Sequence, residues 1–195
     1  DAAGSLQDIG TASVMPLIAA LQDENTNTRI EAATLLGEFQ DVRAVEPLIA
    51  VLQDEQAEVR KQAALALFEM PDTRALEPFI TLLDDKDQDV RITAAKALGE
   101  IRDARADEVM AAAMADENLE VIAGAYRYFI RKGEAGSEAL LIEALTAHGL
   151  AQMAEDFLNC GNTLLDEAGR TWASDNGYQI EETGGEVGPG WGSGQ

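Results

Sequence analysis

The residue types that carry most enzymatic and metal chemistry are scarce in this sequence. Its 195 residues include one histidine, His148, and one cysteine, Cys160. A zinc site of the usual kind needs three or four His and Cys ligands, so this composition excludes one. A Cys/His dyad would need the two side chains in contact, but a helix between them would hold them about 18 Å apart. We therefore expect an exposed imidazole and a buried thiol, and we predict no catalytic residue, no metal site and no cofactor.

Carboxylates are the abundant reactive groups, with 36 Asp and Glu against 14 Lys and Arg and a net charge of −22. No pair of them stands out as an acid and a base. A polyanion of this density repels phosphate backbones and anionic lipid headgroups, which excludes nucleic acid and a membrane surface as main partners. A protein partner with a basic segment remains. A salt-rich host is an alternative explanation of the acidity. With one cysteine and no basic leader, we expect a cytoplasmic protein.

These charged residues belong to a repeat. Segments that begin at Val14, Val45 and Leu76 follow one another in register without a gap, which gives a period of 31. A fourth unit from Asp107 and a fifth from Glu138 are looser. Such self-similarity is typical of stacked structural repeats. The recurring residues are Pro16, Pro47 and Pro78; Asp23, Asp54 and Asp85; Arg29, Arg60 and Arg91; Ala32, Ala63 and Ala94; and Leu36, Leu67 and Leu98.

Each repeat is predicted to form two helices. The proline inside the first helix, such as Pro47, removes a backbone donor and is expected to bend that helix. Alanines on the second helix, such as Ala63, allow close packing. The arginine near the start of the second helix, such as Arg60, is expected to pair with the loop aspartate six residues earlier, Asp54, and across neighbouring repeats. The predicted N-caps of the first helices are Asp41, Asp72 and Asp103.

The repeat resembles HEAT repeats, in the short variety found in phycobilisome lyase subunits. The pattern L-x-D-x4-V/T-R-x2-A-A-x2-L-G/F occurs three times, and the resemblance covers roughly residues 11–160. It implies an all-α fold, an α–α superhelix of about five helix-pair repeats with a C-terminal capping helix. The family includes chromophore lyases and interaction scaffolds, so the resemblance implies a fold and leaves the activity open.

The flanking segments complete the predicted organisation. Residues 1–10 resemble the end of a second helix, so we expect the chain to be the C-terminal fragment of a longer solenoid. Residues 11–160 are assigned to HEAT-like repeats. Residues 161–178 are predicted to form a capping helix with Asn162 or Thr163 as its N-cap. Residues 179–195 are rich in glycine and are predicted to be a flexible tail.

The outward positions of the second helices are the candidate binding surface. In a superhelix of this type they line the concave side, and one position recurs as Glu at three repeats and as Arg at the fourth. The predicted face therefore changes from acidic to basic and gains an aromatic residue in the fourth repeat. A plain solvated helix face is the alternative interpretation. The candidate residues are Glu31, Glu38, Glu69, Glu100, Arg127, Tyr128 and Arg131.

Two functions are compatible with this pattern. A non-enzymatic scaffold would bind a protein partner, with a basic segment, through the concave face. Resemblance to phycobilisome lyases suggests the alternative, a bilin lyase or tetrapyrrole-handling subunit. In that case Arg127 and Arg131 would meet propionates, and Tyr126 or Tyr128 would stack on the ring.

Overall fold

The structure, a computed structural model, describes residues 14–133 and 135–178. All regular elements in these ranges are helical, which confirms the all-α fold class. The chain forms two compact units, an N-terminal unit up to Ala106 and a C-terminal unit from Asp107. The predicted partial repeat at 1–10 and the predicted tail at 179–195 lie outside the described residues. No helix in the described ranges has the length and apolarity needed to cross a membrane.

The described part of the N-terminal unit contains three helix pairs. The first helices are helical residues 14–20 (α1), Val45–Val51 (α3) and Leu76–Leu82 (α5), and the second helices are Thr26–Phe39 (α2), Ala57–Phe68 (α4) and Gln88–Ile101 (α6). α3 packs on α4 and α5 packs on α6, and the successive second helices α2, α4 and α6 contact one another more extensively than α3 and α5 do. The second helices therefore form the tighter layer.

The repeated proline lies in the first turn of its α-helix, so the cause that we expected for a bend, a lost hydrogen bond inside the helix, is absent. A 3-10 turn, Val42–Ala44, precedes α3, and Pro47 therefore falls in the first turn of the α-helix itself. Backbone amides in the first turn have no partner within the helix, so proline costs no hydrogen bond there. The aspartate caps are confirmed, although they cap the 3-10 turns. Asp41, Asp72 and Asp103 accept hydrogen bonds from the backbone amides of Arg43, Arg74 and Arg105 at 2.9–3.0 Å.

Small residues hold the second helices together. Ala63 and Ala94, predicted to be buried, are both fully inaccessible. Gly37 in α2 approaches α4 so closely that an added Cβ would lie 2.9 Å from the Cα of Ala66. Real Cβ atoms need more room than this, so this contact requires glycine.

The described part of the C-terminal unit contains five helices. The five helices are Asp107–Ala113 (α7), Leu119–Lys132 (α8), Glu138–His148 (α9), Ala151–Leu158 (α10) and Thr163–Asp175 (α11). α7 packs on α8, whereas α11 packs on both α9 and α10. The N-cap of α11 is Asn162, one of the two predicted alternatives, whose side chain accepts a hydrogen bond from the amide of Leu164 at 2.9 Å.

Candidate functional site

The three equivalent glutamates lie at the C-terminal ends of successive second helices. Glu38 is the next-to-last residue of α2, Glu69 follows the last residue of α4, and Glu100 is the next-to-last residue of α6. Glu38 and Glu69 are exposed, and Glu100 is half-buried. Because α2 packs on α4 and α4 on α6, the three carboxylates follow one another along one edge of the second-helix layer. We call Glu38, Glu69 and Glu100 the acidic row.

This placement is electrostatically unfavourable for the helices. The C-terminal end of a helix carries a partial negative charge, and a carboxylate there costs about 0.3–1 kcal/mol. In the described part of the chain, neither Glu38 nor Glu69 has an ion-pair partner that would offset this cost. Helix propensity alone does not explain a repeated Glu at an end where Lys or Arg is preferred. Helix stability therefore does not account for Glu38 and Glu69 at these positions.

Glu31 lies apart from the acidic row. It is exposed near the start of α2, but its counterparts in the next two repeats, Gln62 and Thr93, are half-buried and buried. The Gln62 amide donates to Glu58 Oε1 at 2.9 Å, and the Thr93 hydroxyl donates to a backbone carbonyl at 2.8 Å. These two positions are occupied by internal hydrogen bonds, so the position of Glu31 does not repeat as a negative surface.

The repeated arginines form a structural ladder between repeats. Arg60 donates to both carboxylate oxygens of Asp85 in the next repeat, at 2.7 and 2.8 Å, and to the backbone carbonyl of Asp54, at 2.8 Å. Arg29 makes the same contacts with Asp54 and the carbonyl of Asp23. The bridging across repeats was predicted correctly. The loop aspartate of the same repeat contributes its carbonyl, whereas we expected its carboxylate.

The carboxylates of this ladder are held ionised. Burial opposes ionisation of Asp54 and Asp85, but hydrogen bonds from the arginine and from a backbone amide outweigh it, so both pKa values lie below normal. Because each carboxylate also accepts from the amide two residues later, it fixes the loop and the neighbouring arginine together. The ladder therefore sets the stacking of repeats and is not available as a binding site.

A second ladder on the first-helix side was missed in the sequence. Arg74 donates to both carboxylate oxygens of Asp72 within its own turn, and it also donates to Glu46 of the preceding repeat at 3.1 Å. Arg105 contacts Asp103 and Glu77 in the same way. The signal was present, because D-x-R recurs at the period of the repeat. Hydrogen bonds from Arg74 lower the pKa of Asp72 to about 2.

Tyr126 and Tyr128 of α8 are buried, which corrects the interpretation of Tyr128 as a surface aromatic. The Tyr128 hydroxyl donates to Asp107 at 2.5 Å, and the Tyr126 hydroxyl donates to Asp156 at 2.7 Å. Burial raises the pKa of the Tyr126 hydroxyl, and the hydrogen bond to Asp156 and its negative charge raise this pKa further. Neither ring can stack on an external ligand without leaving the core. The repeat register carried this signal, because buried alanines occupy the equivalent positions in the two preceding repeats: Ala64 and Ala95 for Tyr126, and Ala66 and Ala97 for Tyr128.

The two basic candidates are only partly available. Arg127 is half-buried beside Asp156, at 3.3 Å, with its guanidinium 5.5 Å from the Tyr126 ring centroid. Arg131 is exposed in the last turn of α8, where a cation is favourable. Its equivalence to the acidic row rests on the sequence register. The predicted change of charge along one face therefore remains a prediction.

The environment of the one thiol, Cys160, does not favour a reactive thiolate. Cys160 is buried and donates to the carbonyl of Phe157 at 3.0 Å, and burial raises its pKa. A reactive cysteine needs a lowered pKa. His148 is the last residue of α9 and is half-buried, whereas we expected an exposed imidazole. Across the described ranges, no three His, Cys, Asp or Glu side chains are grouped to hold a metal ion.

Comparison with known proteins places this geometry in a fold class. A protein-family model described as HEAT repeats matches residues 14–83 and 45–130. The chain is similar to an engineered protein, with 22% identity and a TM-score of 0.59 over 89% of this chain and 83% of that chain. It is also similar to the complex of CpcE and CpcF of phycocyanin lyase from Nostoc sp. PCC7120, with 22% identity and a TM-score of 0.57 over 80% and 62% of the chains.

A third solved structure is a designed armadillo repeat protein in complex with the peptide (KR)4. It has 20% identity and a TM-score of 0.58, over 85% of this chain and 82% of that chain. At these identities the likenesses show a repeat fold of stacked helices and do not transfer a function. Among curated proteins, none matches the chain.

Proposed function

The chain belongs to the HEAT-repeat family, and we propose that it is a non-enzymatic scaffold that binds the basic segment of a protein partner. The stacked-helix fold of this family suits a protein-interaction role. The acidic row, Glu38, Glu69 and Glu100, is proposed to contact that segment. The observation that carries the proposal is its position: in the described part of the chain Glu38 and Glu69 lie without an ion-pair partner at successive helix C-termini, where a carboxylate costs stability, and Glu100 occupies the same repeat position. A residue choice that disfavours its own helix is expected at functional sites.

The packing of the second helices supports this choice of face. In a stack of helix pairs, the tighter layer lies on the inner side of the curve, and the second helices form that layer in the N-terminal unit. Packed helices lie roughly 10 Å apart, which is close to three residues of an extended chain. An extended segment with cations at such intervals would place one near each carboxylate. The solved complex of a designed armadillo repeat protein with (KR)4 is a precedent on a similar fold.

A binding experiment with the (KR)4 peptide tests the proposal. In the row variant, Glu38, Glu69 and Glu100 are changed to Gln, which removes three charges and keeps the side-chain shapes. In the loop variant, the exposed residues Glu24, Glu55 and Asp84 are changed to Gln, Gln and Asn, respectively, which removes the same charge. We expect the row variant to bind roughly tenfold more weakly than the loop variant, from three exposed pairs of about 0.5 kcal/mol each. Equal affinities would show that only net charge attracts the peptide.

The tetrapyrrole alternative is supported by the likeness to the complex of CpcE and CpcF. The residues proposed for ring stacking, Tyr126 and Tyr128, are buried and hydrogen-bonded, which weighs against it. Incubation of the purified chain with a bilin separates the two functions. The scaffold proposal predicts an absorbance spectrum identical to that of the free pigment, and a shifted spectrum that survives gel filtration would favour the alternative.

A further inference from the structure

A groove of about 410 Å³ lies between α9 and α11 in the C-terminal unit. Its apolar lining comes from both helices, and on α11 the apolar residues recur every four positions, as a stripe along one face. Leu164 is 57% exposed, an unusual fraction for a leucine in a packed helix. The apolar lining residues are Ile142, Leu145, Leu164, Ala168 and Trp172.

The two walls of the groove run in the same direction. At one end Asn162, the N-cap of α11, donates to Glu138 Oε1 at the start of α9, at 3.2 Å. At the other end Gly149, just after α9, lies against Trp172 near the end of α11; a Cβ on this glycine would lie 3.3 Å from the indole Cζ2 atom. The groove therefore extends for about three helical turns, roughly 16–20 Å.

The charge on the groove has one sign. The charged lining residues are Glu167 and Asp175, both exposed, and the remaining polar ones are Thr146 and Thr171. The basic residue Arg170 on the same helix pairs with Asp166 at 3.1 Å and does not line the groove. An apolar floor with an acidic rim is complementary to a segment that is apolar on one face and basic beside it.

We propose that this groove binds an amphipathic helix of a protein partner, with aliphatic side chains at i, i+4 and i+7 and Lys or Arg beside them. Two parallel helices leave a furrow into which the side-chain ridge of a third helix fits. The aliphatic residues would cover Leu164 and Trp172, and the basic residues would meet Glu167 and Asp175. This surface is separate from the acidic row, so either proposal can fail without the other.

The test uses the full chain with Trp191→Phe, which leaves Trp172 as its one tryptophan and makes indole fluorescence a probe of the groove. The probe is a synthetic 14-residue Leu/Lys peptide with leucines on one helical face. The control peptide has the same composition in an order that forms no apolar face. We expect the amphipathic peptide to shift Trp172 emission to shorter wavelength, saturating at one peptide per chain, and the control peptide to bind at least tenfold more weakly.

A matched pair of variants locates the contact. Leu164→Asp places a charge on the groove floor, and Val42→Asp places the same charge at a 68% exposed position in the N-terminal unit. Because both side chains are largely exposed, both variants should fold. We expect Leu164→Asp to weaken binding at least tenfold and Val42→Asp to leave it within twofold of the parent.

Five results would overturn the proposal. Equal binding of the two peptides, or equal loss in the two variants, would mean attraction by bulk charge. Binding that appears only in a chain ending at Tyr178 would identify residues 179–195 as the occupant. A change in Trp172 emission with protein concentration, without peptide, would identify a second copy of the chain. No shift with either peptide in any chain would show that the groove does not take a helix.

Discussion

At the scale of single residues, the Arg60–Asp85 bridge between repeats is more buried than the equivalent Arg29–Asp54 bridge. Both of its side chains are less than 10% exposed, and the guanidinium meets both carboxylate oxygens. Replacing Arg60 with Met leaves a buried carboxylate without its cation, and we expect a loss of about 3 kcal/mol in the free energy of unfolding. The more exposed Arg43–Asp41 pair provides the control, and Arg43→Met should cost clearly less than Arg60→Met, because solvent screens this pair. Equal losses in urea titrations would contradict the assigned role of the ladder.

The lowered pKa values also predict the response to acid. Hydrogen bonds from Arg43 and Arg74 lower the pKa of Asp41 and of Asp72 to about 2. A carboxyl with a depressed folded pKa stabilises the fold above its unfolded pKa, near 4, and loses this contribution as the pH falls towards 2. Asp72→Asn should therefore lose less stability than the wild type between pH 4 and pH 2, measured by melting temperature at high salt. An equal fall in melting temperature for the two proteins between pH 4 and pH 2 would contradict the prediction.

At the scale of helices, two glycines at the same repeat position have opposite surroundings. An added Cβ at Gly37 meets the backbone of Ala66 at 2.9 Å, whereas one at Gly99 has nothing within 4 Å. Gly99→Ala should stabilise the protein by up to about 1 kcal/mol through helix propensity. Gly37→Ala should destabilise it, because α2 and α4 must move apart. Thermal melting that shifts in the same direction for both variants would contradict the packing of the second helices.

The helix pairs could be predicted because each repeat has the same local pattern of helix caps, apolar spacing and small residues. The position of Pro47 within its helix could not, because a 3-10 turn and a longer α-helix share the same N-cap signal. The burial of Tyr128 was missed because its size and polarity favour a surface, while its repeat position favours the core. Its partner Asp107 lies on the preceding helix, and no spacing rule places a hydroxyl within 2.5 Å of it.

At the scale of the whole molecule, a net charge of −22 makes every cationic probe attractive. Affinity alone therefore does not identify a binding surface. The loop variant in the (KR)4 experiment controls for the loss of net charge. The row differs from other repeated carboxylates, such as Glu46 and Glu77 in the first turns of α3 and α5, because it lies at the C-terminal ends of its helices. Only a measurement that reports position distinguishes an ordered contact from a diffuse ion atmosphere.

Amide chemical-shift mapping during a (KR)4 titration gives that position directly. The proposal that the acidic row binds basic segments predicts the largest shifts at the ends of the second helices, around residues 36–40, 67–70 and 98–102. The loops that precede the same helices, around residues 23–25 and 54–56, should change little, although they carry as much charge. Shifts spread evenly over the acidic surface, or concentrated in those loops, would contradict the account and leave the row as a solvated helix face.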